Sequence, residues 1–283
     1  MTLPITVVIP VRSEAQLIAE CITRLKRFAR IVVIDSGSTD GTPEIASRLG
    51  AEVVDFRWNG KFPKKRNWFL RNCRIETPWV LFLDADEFVD DRFCDELATV
   101  LPTTRHSGFW LNYHRWFLGH RLRHGESNRK LALFRVGMGE YERIDDVGCS
   151  ALDMEIHEHP IMIGSVGEIQ TPIDHRDFRN MEHWLAKHNH YSTWEAHRIA
   201  ALRNSEDLAW AVFSRRQRMK YAALGRWWLP PTHFIYSYVL RLGFLDGYAG
   251  FAYALAKCFY FWQVGVKLAE LSQPRPSASE ARA

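Results

Sequence analysis

Cysteine is scarce and carries no pattern. The five residues Cys21, Cys73, Cys94, Cys149 and Cys258 are odd in number and widely spaced, with no CxxC pair. That excludes a disulfide framework or a thiolate metal site and predicts free thiols in a reducing compartment, by default the cytosol. No stretch reaches the roughly 18 to 20 uncharged apolar residues needed to span a bilayer. The start of the chain lacks the basic, apolar and small-residue succession of a secretory signal, so none is expected. No repeat period of solenoid or propeller type occurs. A large excess of one charge is also missing: 37 Lys and Arg against 33 Asp and Glu leave +4. Such a mild balance suits phosphates or a lipid surface, whereas nucleic acid would need a denser basic stripe, so no nucleic-acid partner is expected.

What is present in the first hundred residues is an alternation of short apolar runs with helical patterns, which predicts a parallel sheet covered by helices. Strands are expected over Ile5 to Pro10, Ile31 to Asp35, Glu52 to Phe56 and Trp79 to Leu83. Helices are expected over Glu14 to Phe28, Thr42 to Leu49 and Lys64 to Asn72, with Thr42-Pro43 as an N-cap followed by proline at the first helical position. From Gly108 to His175 longer alternating segments (Phe109 to Leu118, Leu131 to Arg135, Ile169 to Asp174) suggest antiparallel additions to that sheet. The fold class is therefore α/β.

Beyond Asn180 the pattern turns helical. Met181, Trp184, Leu185, His188 and Tyr191 or Ser192 follow one helical face, and Asp207 to Ala223 reads as a second helix, basic at Arg215, Arg216, Arg218 and Lys220. Pro230-Pro231 is expected to break the chain, and Thr232 to Leu271 to form an aromatic, helical segment interrupted by Gly243, Gly247 and Gly250. The division expected is a catalytic domain over 1–178, split into a nucleotide-binding half (1–105) and an acceptor half (106–178). A helical region over 179–271 and a polar end over 272–283 follow.

In open parallel sheets ligands sit beyond the carboxyl ends of the strands. Strand one ends in Pro10-Val11-Arg12-Ser13-Glu14, strand two in Asp35-Ser36-Gly37-Ser38-Thr39-Asp40-Gly41-Thr42, and strand four in Asp84-Ala85-Asp86-Glu87. Each stretch alone could be turn and capping chemistry. Together they bring three acidic edges to one crevice, where mutual repulsion makes sense if a divalent cation or sugar and ribose hydroxyls engage them.

These motifs, with Val8-Ile9 before the first, Val33-Ile34 before the second and Leu81-Phe82-Leu83 before the third, resemble the family-2 glycosyltransferases of the GT-A fold. The resemblance covers roughly the first 180 residues. Ile156-His157-Glu158 and Asp174-His175 look like the branch that includes lipopolysaccharide-core glucosyltransferases. Arg12-Ser13 departs from the family's usual residues before the glutamate.

The resemblance implies a nucleotide-diphospho-sugar transferase fold and an inverting transfer from a nucleotide-sugar donor, UDP-linked, to a glycan or lipid-linked acceptor. Pro10, Val11 and Glu14 would line the base and ribose pocket. Asp35, in the loop that carries Ser38, would accept a hydrogen bond from the base. Asp84, beside Ala85, would face ribose or sugar hydroxyls. Asp86 would hold a divalent metal, Mg²⁺ or Mn²⁺, with His175 as an imidazole ligand. Lys64, Lys65, Arg66 and Asn67 open a helix and could meet the phosphates. Glu158 is the candidate general base, with Asp145 or Asp146 as the alternative. A nucleotidyltransferase making the activated sugar is a second reading, though no glycine-rich triphosphate loop follows strand one. A catalytically silent scaffold of the same fold is a third. Finally, the aromatic segment with its basic flank, Arg215 to Arg226, predicts attachment to a membrane surface without crossing it, and the resemblance implies that this surface is the cytosolic face of a bacterial inner membrane.

Overall fold

The computed structural model describes residues 2–143, 153, 160–204 and 215–273. The expected Glu158, Asp145 and Asp146 lie outside the described residues, as does the start of the helix expected from Asp207. The chain divides into two compact units, Met1–Arg121 with Ser127–Asp177, and Leu122–Glu126 with the chain from Phe178 onward.

The first unit is built on β1 (Leu3–Val11), α1 (Ile18–Thr23), β2 (Phe28–Asp35), α2 (Thr42–Arg48), β3 (Glu52–Asp55), α3 (Lys65–Asn72) and β4 (Trp79–Phe82). It continues with β5 (Glu87–Phe88), α4 (Asp91–Val100), β6 (Gly108–Phe117), β7 (His120–Leu122), β8 (Asn128–Arg135), β9 (Gly139–Tyr141), β10 (Pro160–Met162) and β11 (Val166–His175). The main sheet runs β3-β2-β1-β4-β8-β6-β11-β5, with β7 beside β6, and β9 pairs with β10 in a separate ribbon. Strands β3, β2, β1 and β4 are parallel. The unbroken apolar run of β1 follows from burial on both faces. Ile5, Val7 and Ile9 enter one core, while Val8 enters the other with Ile34, Phe69 and Phe82.

Several expectations need correction. The helix foreseen over Glu14 to Phe28 is only Ile18–Thr23, because Glu14 to Leu17 form a turn and Phe28 already opens β2. The N-cap of α2 is Gly41, at φ 86°, not Thr42. Of the expected antiparallel additions, β8 is antiparallel to β4 and β6, but β11 runs parallel to β6. Strand β8 has already carried the chain back to the end where β6 begins, with Gly108 paired to both Phe134 and Val166, so β11 sets out beside β6 in the same direction. Helix α4 was not foreseen; Asp90 caps it by accepting a hydrogen bond from Phe93 N–H at 2.9 Å.

The second unit contains α5 (Met181–Asn204), α6 (Arg215–Ala223), α7 (Leu229–Phe234), a π-helical turn (Ile235–Leu240), a 3-10 turn (Gly243–Asp246) and α8 (Gly247–Leu271). Its core joins Ala196, Ile199, Tyr221, Leu224, Tyr260, Val264 and Leu268. On α5, Trp184, Ser192, Glu195 and Ile199 are buried while Met181 and Leu185 are exposed, so the buried face is rotated from the expected one. Pro230-Pro231 does not break the chain. Both lie in the first turn of α7, where a missing N–H costs nothing. Gly250 is likewise no interruption: a Cβ there would stand 2.1 Å from the Gly243 carbonyl oxygen, so glycine permits a close backbone approach. Asp246 binds the segment 122–126 into this unit by accepting the N–H groups of Arg123 and His124, the latter at 2.9 Å.

Candidate active site

The carboxyl ends of β1 and β2 are fastened together through backbone donors. Ser13 N–H donates to Ser38 Oγ at 2.7 Å, Glu14 N–H to Thr42 Oγ1 at 2.9 Å and Ala15 N–H to Asp40 Oδ2 at 3.0 Å. Ser13 adopts φ 60°, the left-handed region that costs a non-glycine residue about 1 to 2 kcal/mol. The bond to Ser38 holds it there. Arg12-Ser13 is thus a local turn locked to the neighbouring loop. Asp35 is buried, and its Oδ2 accepts the N–H groups of Gly37 and Ser38, each at 2.9 Å, while Oδ1 accepts the Ser38 hydroxyl. The carboxylate shapes the loop that Ser38 belongs to.

Helix α3 supplies cations, but largely to the protein itself. Lys65 is 1% exposed. Its ammonium donates to the Val11 carbonyl at 2.9 Å and lies 3.3 Å from Asp153 Oδ2. Burial lowers the Lys65 pKa, against the pull of Asp153. Asn67 exchanges two 2.8 Å hydrogen bonds with the Tyr141 backbone, reading β9 as another strand would. Arg66 donates to Asp84 Oδ1 at 2.7 Å and lies over the Tyr141 ring. Lys64 is buried at the helix start, and Pro10 and Val11 are buried at the end of β1.

The acidic end of β4 divides into two environments. Asp84 has a cation on each oxygen: Arg66 on Oδ1 and, from β8, Lys130 on Oδ2 at 2.8 Å. Burial alone would raise its pKa, but Lys130 and Arg66 outweigh that and hold the carboxyl well below the usual range. Ala85 is buried. Glu87 accepts Asp84 N–H at 3.0 Å and the Tyr113 hydroxyl at 3.4 Å, and lies 3.3 Å from Lys130 Nζ. Burial raises the pKa of Glu87, with Lys130 opposing.

Asp86 belongs to the second environment. The antiparallel pairing of β11 with β5 sets His175 opposite Glu87 and brings His175 Nε2 to 3.6 Å from Asp86 Oδ1. Burial would lower the imidazole pKa; the charge and hydrogen bonding of Asp86, aided by Asp177 and Glu87, carry it up to about 9. The structure brings together the two residues expected as metal ligands. Sequence reasoning missed Lys130, one of several polar residues on β8, and counted Glu87 in the acidic end of β4 without giving it a role.

The donor set can be tested against a divalent cation. Asp84 is committed to two cations, and among the described residues no group of three His, Cys, Asp or Glu converges. Asp86 and His175 make an oxygen and nitrogen pair, adequate for an ion that takes its other ligands from substrate phosphate and water, as Mg²⁺ and Mn²⁺ do. The two residues fit such an ion as a minor part of its coordination sphere.

The strand ends carry interlocked loops, an acidic β4 terminus and a cationic helix, an α/β fold with its polar residues gathered at the carboxyl ends of parallel strands. Residues 6–159 match the profile of Glycosyl transferase family 2, and the chain belongs to that family. It is similar to the lipopolysaccharide core biosynthesis glycosyltransferase LpsC of Rhizobium meliloti, with 26% identity over 99% of this chain and 97% of that one. A Rickettsia conorii glycosyltransferase, RC0292, is 23% identical over 80% of this chain and 83% of its own length. Among solved structures, Staphylococcus aureus TarS (residues 1–349) aligns over 97% of this chain and 93% of its own, at 15% identity and a TM-score of 0.42. Family membership supersedes the nucleotidyltransferase reading.

Proposed function

We propose that the protein moves a sugar, with inversion, from a nucleotide-sugar donor, UDP-linked, to a glycan or lipid-linked acceptor in the assembly of bacterial lipopolysaccharide or a related surface polysaccharide. Its place would be the cytosolic face of the inner membrane. Two findings support this reading: family membership, and the end-to-end likeness to a lipopolysaccharide core glycosyltransferase. The observation that carries the chemistry is the separation of Asp84, neutralised on both oxygens, from Asp86, which faces His175.

In this reading Pro10, Val11 and Glu14 line the nucleoside pocket, and Asp35 and Ser38 present the loop that meets the base. Asp84, held rigid by Arg66 and Lys130, offers its outer edge to ribose or sugar hydroxyls, and Ala85 lets the diphosphate approach the backbone. Lys64 and Lys65 add positive charge near the phosphates, Lys65 by fixing the Val11 carbonyl. Asp86 and His175 would hold Mg²⁺ or Mn²⁺, which when bound supplies Lewis-acid neutralisation of the charge developing on the leaving diphosphate. Glu158 takes the acceptor hydroxyl proton, with Asp145 or Asp146 as the alternative base.

Incubation of the full chain with a panel of nucleotide sugars and Mn²⁺, following slow donor hydrolysis, tests the proposal. Release of a nucleoside diphosphate from one donor supports it. Binding without turnover for every donor, with or without candidate acceptors, would favour the scaffold reading.

A further inference from the structure

Helix α8 has two apolar faces. One is the buried face of Ala249, Gly250, Ala254, Tyr260, Val264 and Leu268. The other carries Tyr248, Phe251, Leu255, Phe259, Trp262 and Val266, all exposed, from 77% at Tyr248 to 38% at Phe251. At 100° per residue these six fall within about 80° of one another, and at 1.5 Å per residue the stripe is about 27 Å long. Between Tyr248 and Val266 there is no carboxylate, and Lys257 is the sole charged residue. The turns just before α8 add exposed Leu240, Phe244 and Leu245. A contiguous apolar surface of this extent marks an interaction site.

The charge of the unit indicates what covers that stripe. Residues 122–126 and 178–283 hold fifteen Lys and Arg against eight Asp and Glu, a balance of +7, while the rest of the chain holds twenty-two against twenty-five, a balance of −3. Arg226, beside exposed Trp227 and Trp228, and Arg241 are exposed in the segments that lead into α8. A second copy would bring two units of net charge +7 together. An anionic bilayer supplies both an apolar layer for the stripe and the opposite charge for its flank. No helix among the described residues is long and apolar enough to cross a membrane, so α8 would lie in the interface plane. Tyrosine and tryptophan suit that boundary.

We infer that the stripe from Tyr248 to Val266 is a lipid-docking face by which the protein sits on an anionic membrane surface. The inference rests on the peripheral location proposed above and names the face responsible. Lipid attachment would place the catalytic unit on the surface that carries a lipid-linked acceptor.

Sedimentation of the full chain with vesicles of phosphatidylethanolamine and phosphatidylglycerol, or of phosphatidylcholine alone, tests it. The wild type should bind the anionic vesicles. A variant carrying Phe251→Ser, Leu255→Ser and Trp262→Ser should need at least about tenfold more lipid for half-binding. Its far-UV spectrum should match the wild type. Because Phe251 also packs against Phe234 and Tyr238, the pair Leu255→Ser with Trp262→Ser, which spares those contacts, should weaken binding in the same direction with melting unchanged. The apolar replacements Phe251→Leu and Trp262→Phe should retain most of the binding, which a merely folded-state effect would not predict. Undiminished binding by the serine variant overturns the face while leaving the peripheral location standing. Failure of the wild type to bind either vesicle overturns both. A wild-type dimer in solution that becomes a monomer with the serine substitutions, without lipid binding, assigns the stripe to a second copy instead.

Discussion

Asp84 and Asp86 are two residues apart and chemically unlike. Asp84 spends its charge on Arg66 and Lys130, so replacing it disturbs the crevice itself; Asp86 has His175 beside it instead. Asp86→Ala should therefore keep the fold and lose transfer by at least about 10²-fold, a few kcal/mol of transition-state stabilisation. Excess chelator should do the same to the wild type. Full activity in either case would remove the metal from the proposal. Glu158→Gln should still bind donor while transfer falls roughly 10² to 10⁴-fold, because the amide keeps the shape and cannot accept a proton. If Asp145→Asn or Asp146→Asn shows that loss while Glu158→Gln is near wild type, the base belongs to that pair. Lys130 invites a stability measurement. Lys130→Met leaves buried Glu87 without its cation and Asp84 with Arg66 alone, which should cost roughly 2 to 4 kcal/mol in urea melts. Adding Glu87→Gln should recover part of the loss, since a neutral amide is cheaper to bury than an unpaired carboxylate.

At the scale of elements, the position of His175 depends on β11. Ile169 pairs with Leu111 and Ile173 with Tyr113, so four steps along β11 match two along β6, and the excess bulges out at Gln170 to Pro172. Proline is tolerated there because a bulge needs no ladder N–H. The N–H groups that remain donate to one side chain of α4: Gln170 to Glu96 Oε1 at 2.8 Å and Thr171 to Glu96 Oε2 at 2.7 Å. Glu96→Ala removes the acceptor from both and should destabilise the protein by roughly 1 to 3 kcal/mol. Burial tends to raise the Glu96 pKa, but the bonds from Thr171 and Gln170 prevail and set it below the ordinary 4.5. Its stabilising effect is therefore complete above that ordinary value and fades as pH falls through the lower folded one. The gap between the urea melts of the two proteins should narrow as pH falls below the ordinary 4.5 and through the lower folded value, and a gap unchanged over that range would refute the ion's role.

What the sequence could show at this scale follows from the same physics. The parallel half was legible because β1, β2 and β4 are buried on both faces and so read as unbroken apolar runs. The direction of β11 was not, since local periodicity carries no record of which neighbour a strand pairs with. The contact of Asp86 with His175 was anticipated through family resemblance, as nothing local to His175 distinguishes it from the other eleven histidines. Lys130 was missed because a lysine on an alternating strand reads as a solvent-facing residue until Asp84 and Glu87 are seen beneath it.

For the whole molecule, the uneven charge makes a prediction that apolar content alone would not. If attachment combined the stripe on α8 with the +7 balance of its unit, salt should weaken one contribution and spare the other. The screening length contracts from about 10 Å at 0.1 M to about 3 Å at 1 M, so exposed arginines such as Arg226 and Arg241 lose most of their reach to a charged bilayer. Each such residue near an anionic surface is worth about 1 kcal/mol at physiological salt. Burial of Phe251, Leu255 and Trp262 involves no charge and should persist or strengthen. Binding to anionic vesicles should accordingly fall as sodium chloride rises and level off above zero, and the plateau should disappear in the triple serine variant. Two departures would tell the contributions apart. Binding that falls to nothing in high salt would mean that the basic residues act alone and the stripe stays in water. Binding equal on anionic and neutral vesicles at every salt concentration would mean that the positive unit is an accident of composition and that aromatic insertion suffices.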